Sequence, residues 1–375
     1  MNKSLNSLGL MSGTSGDGVD ASVINSDGKG YYKVLINKYF KYSDEISQNI
    51  YKLKRNINNI DDVKIFSTEI NDLERKITLF HSNVVSEFTK KKDFGIDLIG
   101  FHGQTILHSP KNKYSKQLGD GNLLSQLSKK KVIFNFRQND LFQGGEGAPL
   151  SPIFHQLIVK EKKIDLPVCI LNIGGISNLT LIKDFKQESL ISKDIGPGNC
   201  LIDEWIRRNK KGNFDRNGEF ASQGKTNKLI LDQALDDFEN IPANNLNSFD
   251  VNDFEINFLR GLDLEDGAST ITDFTSKIIA SNLIKIISKH NQNISRIILC
   301  GGGRKNKTLI ERIKRNSHNK LEFQTTDDYK VDGDFVESQA FAFLAIRSFL
   351  KLPISFPNTT GCKLPSTGGV LVKNF

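Results

Sequence analysis

The chain has 375 residues, 38% of them hydrophobic and 25% charged. That balance excludes a disordered chain and is enough for two domains with full cores. The formal charge of +8 and the pI near 9.1 admit anionic partners. However, the lysines are scattered (the tightest runs are Lys90–Lys92 and Lys129–Lys131), and no aromatic and basic residues interleave as a single-strand nucleic-acid binder requires. Four distant cysteines, Cys169, Cys200, Cys300 and Cys362, exclude a disulfide framework or zinc site and suit a reducing cytoplasm. No apolar run approaches about 18 residues and no secretory h-region opens the chain, so neither a membrane span nor an exported protein is expected.

In chain order, Leu8–Met11 reads as the end of a strand and Val19–Ile24 as a returning one. Between them, Gly13-Thr14-Ser15-Gly16-Asp17-Gly18 puts backbone N–H groups and two hydroxyls at a tip with no bulky side chain. That is a cradle for an anion. Asp17 and Asp20 are placed to hold Mg²⁺ through water, because hard cations take oxygen ligands. A plain Gly- and Asp-rich hairpin turn accounts for the same residues equally well. Tyr31–Phe40 is a third strand. Val63, Phe66, Ile70, Leu73, Ile77, Phe80, Val84 and Phe88 recur at helical spacing, which predicts one amphipathic helix capped by Asp61 or Asp62.

Asp97–Phe101 predicts a short strand ending at His102-Gly103-Gln104-Thr105, with His102 and His108 in hydrogen-bonding or structural roles. A turn at 118–122 precedes a helix. Val132–Phe136 is a strand that delivers Arg137, either as a clamp for a carboxylate or phosphate or as a surface partner of Asp140. The glycine-rich run 144–149 reads as a substrate loop, and Pro152–Lys160 as a helix.

Val168–Ile173, Gly174-Gly175 and Ser177–Ile182 repeat the strand–glycine turn–strand design of the N-terminus. Two such units predict a duplicated domain that holds phosphates from both halves. Asp194 is expected at a strand end facing the helix that begins at Cys200. It is either a general base or an acid that satisfies the Gly196-Pro197-Gly198 turn. Gly218–Thr226 imitates a phosphate-binding P-loop, but it has one residue too many between its glycines and no preceding strand. The Asn-rich stretch 237–260 reads as loop and 268–290 as a helix. Arg296–Cys300 is a strand, and the Gly301-Gly302-Gly303 run up to Asn306 lets a flat ring or phosphate lie against backbone. Residues 331–349 read as a helix with Glu337 near its start, and the last 25 residues as an extended tail.

Taken together, GLMSGTSGDGVD, FHGQTILHSP, QLGDGN, NFRQND with GGEGAPLSP, LNIGGISNLT, DIGPGN, CGGGRKN and GDFVESQAFAFLA resemble, in the same order, the anhydro-N-acetylmuramic acid kinases. The resemblance implies an α/β fold of two actin-like (ribonuclease H-like) domains with an ATP and substrate cleft between them. We place these domains at 1–131 with 350–375, and at 132–349. It implies that Gly13, Thr14, Ser15, Gly16, Asp17, Gly18, Val19 and Asp20 hold ATP phosphates, with Mg²⁺ at Asp17 and Asp20. Gly174 and Gly175 would hold the phosphates from the other side. Gly301, Gly302, Gly303 and Asn306 would lie by the adenosine, Asp194 would be the catalytic base, and Arg137 and Glu337 would contact the sugar. The implied reaction is attack of water on the anomeric carbon of 1,6-anhydro-N-acetylmuramic acid while O6 takes the γ-phosphate. It serves peptidoglycan recycling and amino sugar metabolism in a cytoplasmic, dimer-forming enzyme with no nucleic-acid or membrane partner.

Three departures from the family pattern stand out. Ile195 replaces a Thr and removes a hydroxyl contact. Gly16 replaces a bulky apolar residue and loosens its loop. Residues 243–248 lack a basic segment. Rival readings are a plain sugar kinase of the same superfamily and an actin-like sensor that binds without turnover.

Overall fold

The computed structural model describes residues 4–90, 95–240, 249, 254–290, 294–317 and 321–375. Its strands are β1 (Leu5–Ser12), β2 (Gly18–Ser26), β3 (Tyr32–Lys41), β4 (Leu98–Ser109), β5 (Tyr114–Leu118), β6 (Lys131–Phe134), β7 (Val168–Ile173), β8 (Ile176–Ile182), β9 (Ile191–Pro197), β10 (Arg296–Cys300), β11 (Glu322–Thr325) and β12 (Val370–Val372). They form two sheets in two compact units. Unit 1 comprises Met1–Ile164, Phe185–Leu190 and Asp334–Phe375; unit 2 comprises Asp165–Asp184 and Ile191–Gly333.

The sheet of unit 1 runs β12-β6-β4-β1-β2-β3, with β5 paired to β4. β1, β2 and β3 form an antiparallel meander, and β4 and then β6 join β1's other side in parallel. Unit 2 runs β11-β10-β7-β8-β9, again an antiparallel meander followed by two parallel strands. The same order of three antiparallel and two parallel strands, built twice, is the duplication predicted from the paired glycine hairpins and the two-domain actin-like α/β fold that the resemblance implies.

The expected boundaries at 131/132 and 349/350 do not coincide with this division. β6 pairs with β4 inside the first sheet, and the helix Val336–Phe349 packs on β1, β2 and β4. The chain therefore divides at 164/165 and 333/334. That helix lies close enough to the sheet to demand glycines beneath it. A Cβ on Gly9 would sit 1.9 Å from the Ser338 carbonyl, and one on Gly100 2.3 Å from that of Phe341.

Local differences from the expectation have local causes. The single helix expected over 63–88 is two, Ile60–Ile65 and Ser67–Thr89, broken at Phe66. Its cap is Asn59, whose side chain accepts from the N–H groups of Asp61 and Asp62. A further helix, Asp44–Asn56, is capped by Ser43 and buries Ile46, Ile50 and Leu53. β4 continues through His102–Thr105 to Ser109 rather than stopping at Phe101. The terminal helix begins at Val336, not 331. The tail is not wholly extended: it carries a short helix, Pro357–Thr360, before β12 closes antiparallel on β6. Residues 243–248, where the basic segment is missing, lie outside the described residues. No described helix is long and apolar enough to cross a membrane.

Candidate functional site

The β1–β2 hairpin carries the first half of the expected site. Gly16 sits at φ +63°, which an L side chain rarely adopts, and its N–H donates 3.2 Å to the Gly13 carbonyl. A Cβ there would lie 2.9 Å from Ile50 Cγ2. The loop is therefore fixed by its own turn, not loosened by the missing side chain. Gln104 Nε2 donates 3.0 Å to the Gly13 carbonyl, Lys54 Nζ donates 2.8 Å to that of Thr14, and the Tyr51 hydroxyl donates to that of Ser15. The N–H groups of Thr14 and Ser15 have no acceptor among the described residues. A Cβ on Gly13 would meet nothing nearer than Ser15 Oγ at 3.9 Å. Open space beside unspent N–H donors fits a phosphate.

Ser15 Oγ donates to Asp17, and Tyr39's phenol is pushed up by burial and by the carboxylates of Asp17 and Asp20. Both acids thus act on one hydroxyl. No group of three His, Cys, Asp or Glu side chains suits a metal among the described residues. Two carboxylates on one hairpin nonetheless fit Mg²⁺, which keeps waters and takes only one or two protein carboxylates. Beneath the hairpin, Ser12 Oγ lies 2.6 Å from the Tyr42 hydroxyl and 3.5 Å from His81 Nε2, all three buried.

Arg137 stands just past β6. Its NH1 donates 2.7 Å to the Gly147 carbonyl and its NH2 2.9 Å to His102 Nε2. His102 is the extra residue of a bulge in β4, opposite the Leu10/Met11 step of β1. Because Nε2 accepts from a guanidinium, the ring proton lies on Nδ1, which donates 2.9 Å to the Gly103 carbonyl. Burial, and then Arg137's charge, hold this histidine far below its usual range. The glycine-rich run is pinned rather than loose. Asp140 accepts from Gly147 N–H at 2.7 Å and from the Thr360 hydroxyl at 2.7 Å, and Glu146 N–H donates 2.7 Å to the Thr360 carbonyl. His108 holds Ser115 at 2.9 Å, a structural role. Glu337 occupies the first turn of Val336–Phe349, half-buried, beside Ser338, which lies 2.6 Å from Ser22 on β2.

In unit 2 the Gly174–Gly175 tip is tied to the chain after β9. Gly198 N–H donates 2.8 Å to the Gly175 carbonyl, and Asn199 N–H 2.8 Å to that of Gly174. Gly301–Gly303 lies against the same hairpin: a Cβ on Gly303 would meet Ile173 Cγ2 at 2.2 Å and Asn199 Oδ1 at 3.0 Å. Asn306 caps the helix Lys307–Asn316 by accepting from Leu309 N–H at 3.0 Å. Asp194 lies mid-strand in β9, not at its end, paired with Asn178 of β8. It is 6% exposed, and its Oδ2 accepts from Phe249 N–H at 2.9 Å. Ile195 is the extra residue of a bulge between Asp194 and Gly196, and it is buried in the apolar core.

Within unit 1 the fold gathers the hairpin with Gln104, and Arg137 with His102. Within unit 2 it gathers Gly174, Gly175 and Gly301–Gly303. Sequence reasoning missed Tyr51 and Lys54. The Ser43 cap and the i, i+4, i+7 spacing of Ile46, Ile50 and Leu53 signal their helix. It also missed the packing of the rejected P-loop look-alike on the start of the helix Lys307–Asn316, where Thr308 Oγ1 donates 2.8 Å to the Gly218 carbonyl.

The family model of anhydro-N-acetylmuramic acid kinase matches residues 6–374. A protein of that name from Pelagibacter ubique is 53% identical over 375 residues, covering 100% of both chains. One from Zymomonas mobilis is 38% identical over 370 residues, covering 96% of this chain and 98% of its own. Among solved structures, component A of the (R)-2-hydroxyglutaryl-CoA dehydratase of Acidaminococcus fermentans matches with a TM-score of 0.44 and 11% identity, over 92% of this chain and 98% of that one.

Proposed function

The chain belongs to the anhydro-N-acetylmuramic acid kinase family, and we propose that it works with Asp194 as the base. It is an ATP-using sugar kinase that converts 1,6-anhydro-N-acetylmuramic acid and water to N-acetylmuramic acid 6-phosphate, within peptidoglycan recycling. Asp194 takes a proton from water as the water oxygen bonds to C1. The C1–O6 bond breaks, O6 bonds to the γ-phosphorus, and ADP leaves. A placed base contributes roughly 10²–10⁴ in rate. Gly13–Asp20 and Gly174–Gly175 hold ATP phosphates through backbone N–H groups, which stabilise the transferring charge. Gly301–Gly303 and Asn306 lie by the adenosine, and Arg137 and Glu337 bind the sugar. Asp17 and Asp20 would hold Mg²⁺ through water, and it would supply charge neutralisation at the phosphates. A homodimer and a cytoplasmic location complete the reading; the four buried free cysteines suit the latter.

The observation that carries this reading is Asp194, a carboxylate almost wholly buried in the strand beside the second glycine hairpin, where one oxygen is fixed by a backbone N–H. The test is incubation with Mg-ATP and the anhydro sugar in ¹⁸O water, followed by mass spectrometry. A product with one phosphate and one label at C1 is expected. Phosphate without label would replace this reading with a plain sugar kinase, and bound ATP without product would replace it with a sensor.

A further inference from the structure

The first hairpin has its carbonyls held from outside. Three successive carbonyls at its tip, those of Gly13, Thr14 and Ser15, each accept from a side chain of another element: Gln104 of β4, and Lys54 and Tyr51 of the helix Asp44–Asn56. A trans peptide points its N–H opposite to the carbonyl of the preceding residue. Turning the Gly13 and Thr14 carbonyls toward Gln104 and Lys54 therefore turns the N–H groups of Thr14 and Ser15 away from them. These are the two N–H groups that have no acceptor among the described residues. The remaining peptide in the series, between Ser15 and Gly16, closes the turn instead, its N–H donating to the Gly13 carbonyl.

We infer that Gln104, Tyr51 and Lys54 are positioning residues for phosphoryl transfer: a three-point clamp on the tip carbonyls that presents the Thr14 and Ser15 N–H groups to the phosphates of ATP. The inference rests on the reading that this hairpin holds those phosphates. None of the three needs to touch the nucleotide. The clamp acts by fixing two peptide planes before ATP arrives, so the N–H groups need no reordering on binding. The ammonium of Lys54 also adds a positive charge at the rear of the tip, which further favours an anion at its front.

Tyr51→Phe removes only the hydroxyl, Lys54→Met removes the ammonium, and Lys54→Arg keeps a cationic donor. Ser15→Pro removes one presented N–H outright. The readouts are KM for ATP, KM for the anhydro sugar, adenosine affinity, and hydrogen exchange at residues 14–16 with and without ADP. The Tyr51→Phe/Lys54→Met double variant is expected to raise KM for ATP by roughly ten- to a hundredfold, the range for lost hydrogen bonds to a charged group. Adenosine affinity and sugar KM should stay within about twofold, Lys54→Arg should restore most of the loss, and ADP should no longer slow exchange at residues 14–16. A variant that failed to fold would lose adenosine binding as well, and the exchange measurement on the Tyr51→Phe single variant would then decide. Unchanged KM for ATP in the double variant, with Ser15→Pro still weakening ATP, overturns the clamp alone. Unchanged ATP binding in Ser15→Pro overturns the hairpin reading, and the clamp with it.

Discussion

The two glycine hairpins share a strand–turn–strand design and an identical place in their sheets, yet they are held by different chemistry. At the β1–β2 tip the carbonyls bond to side chains from β4 and a neighbouring helix. At the β7–β8 tip they bond to the backbone N–H groups of Gly198, Asn199 and Cys200. A side-chain clamp can be retuned one residue at a time. A backbone clamp is fixed by chain geometry and can be broken only by adding bulk or moving the chain. The surrounding units differ as well: the fully buried histidines His81, His102 and His155 all lie in unit 1.

That last difference gives the largest expected effect. Burial holds His81 down at about 4 and His155 at about 3, and burial with Arg137's charge holds His102 well below normal. Between those values and the unfolded value of about 6.5, the unfolded chain binds protons that the folded chain refuses. Stability is therefore intact above about pH 6.5 and falls as pH drops, by up to about 1.4 kcal/mol per pH unit for each histidine. Acidification from pH 7 to 4 should open unit 1 before unit 2, which limited proteolysis with peptide mapping would reveal. Earlier release of unit 2 peptides would refute this.

Asp194→Asn comes next. Turnover should fall by roughly 10²–10⁴ while ATP binding persists, because the substitution leaves both hairpins untouched. An unchanged rate would remove Asp194 from the mechanism. The backbone clamp is then tested by Gly198→Ala, whose Cβ would lie 2.2 Å from the Gly174 carbonyl. It should cost about 3 kcal/mol by overpacking, whereas Gly13→Ala, in open space, should cost less than about 1 kcal/mol. Equal melting temperatures for the two variants would contradict the contrast. Ser12→Ala, which leaves the buried Tyr42 hydroxyl without its 2.6 Å partner, should cost about 1–2 kcal/mol in chemical denaturation.

Much of this was legible in the sequence because local rules governed it. Apolar runs broken by glycine located β1, β2, β7, β8 and β10, and the repeat of the hairpin pointed to duplication. What was not legible depended on distant partners. The pairing of β6 with β4 moved the domain boundary, and no local signal encodes which strand a parallel neighbour joins. β4 runs past its glycine because β5 pairs with its far end. The break at Phe66 was hidden because apolar spacing continues across both helices. The sequence around Asp194 leaves it either a base or a turn acid, and only the resemblance implies the base; its mid-strand burial and its bond to Phe249 come from the sheet. Tyr51 and Lys54 resemble ordinary surface residues until the helix that carries them is seen against the hairpin.

The helix Val336–Phe349 packs so closely on β1, β2 and β4 that Gly9 and Gly100 lie against its carbonyls. During synthesis, then, the first strands made must wait for nearly the last helix made. A ribosome that has translated as far as Gly333 has completed the sequence of unit 2, while unit 1 still shows a bare sheet face. The nascent chain spends most of its elongation with its N-terminal half unfinished. Protease sensitivity of that half should persist in stalled chains that end before residue 336 and vanish once residue 349 has cleared the exit tunnel.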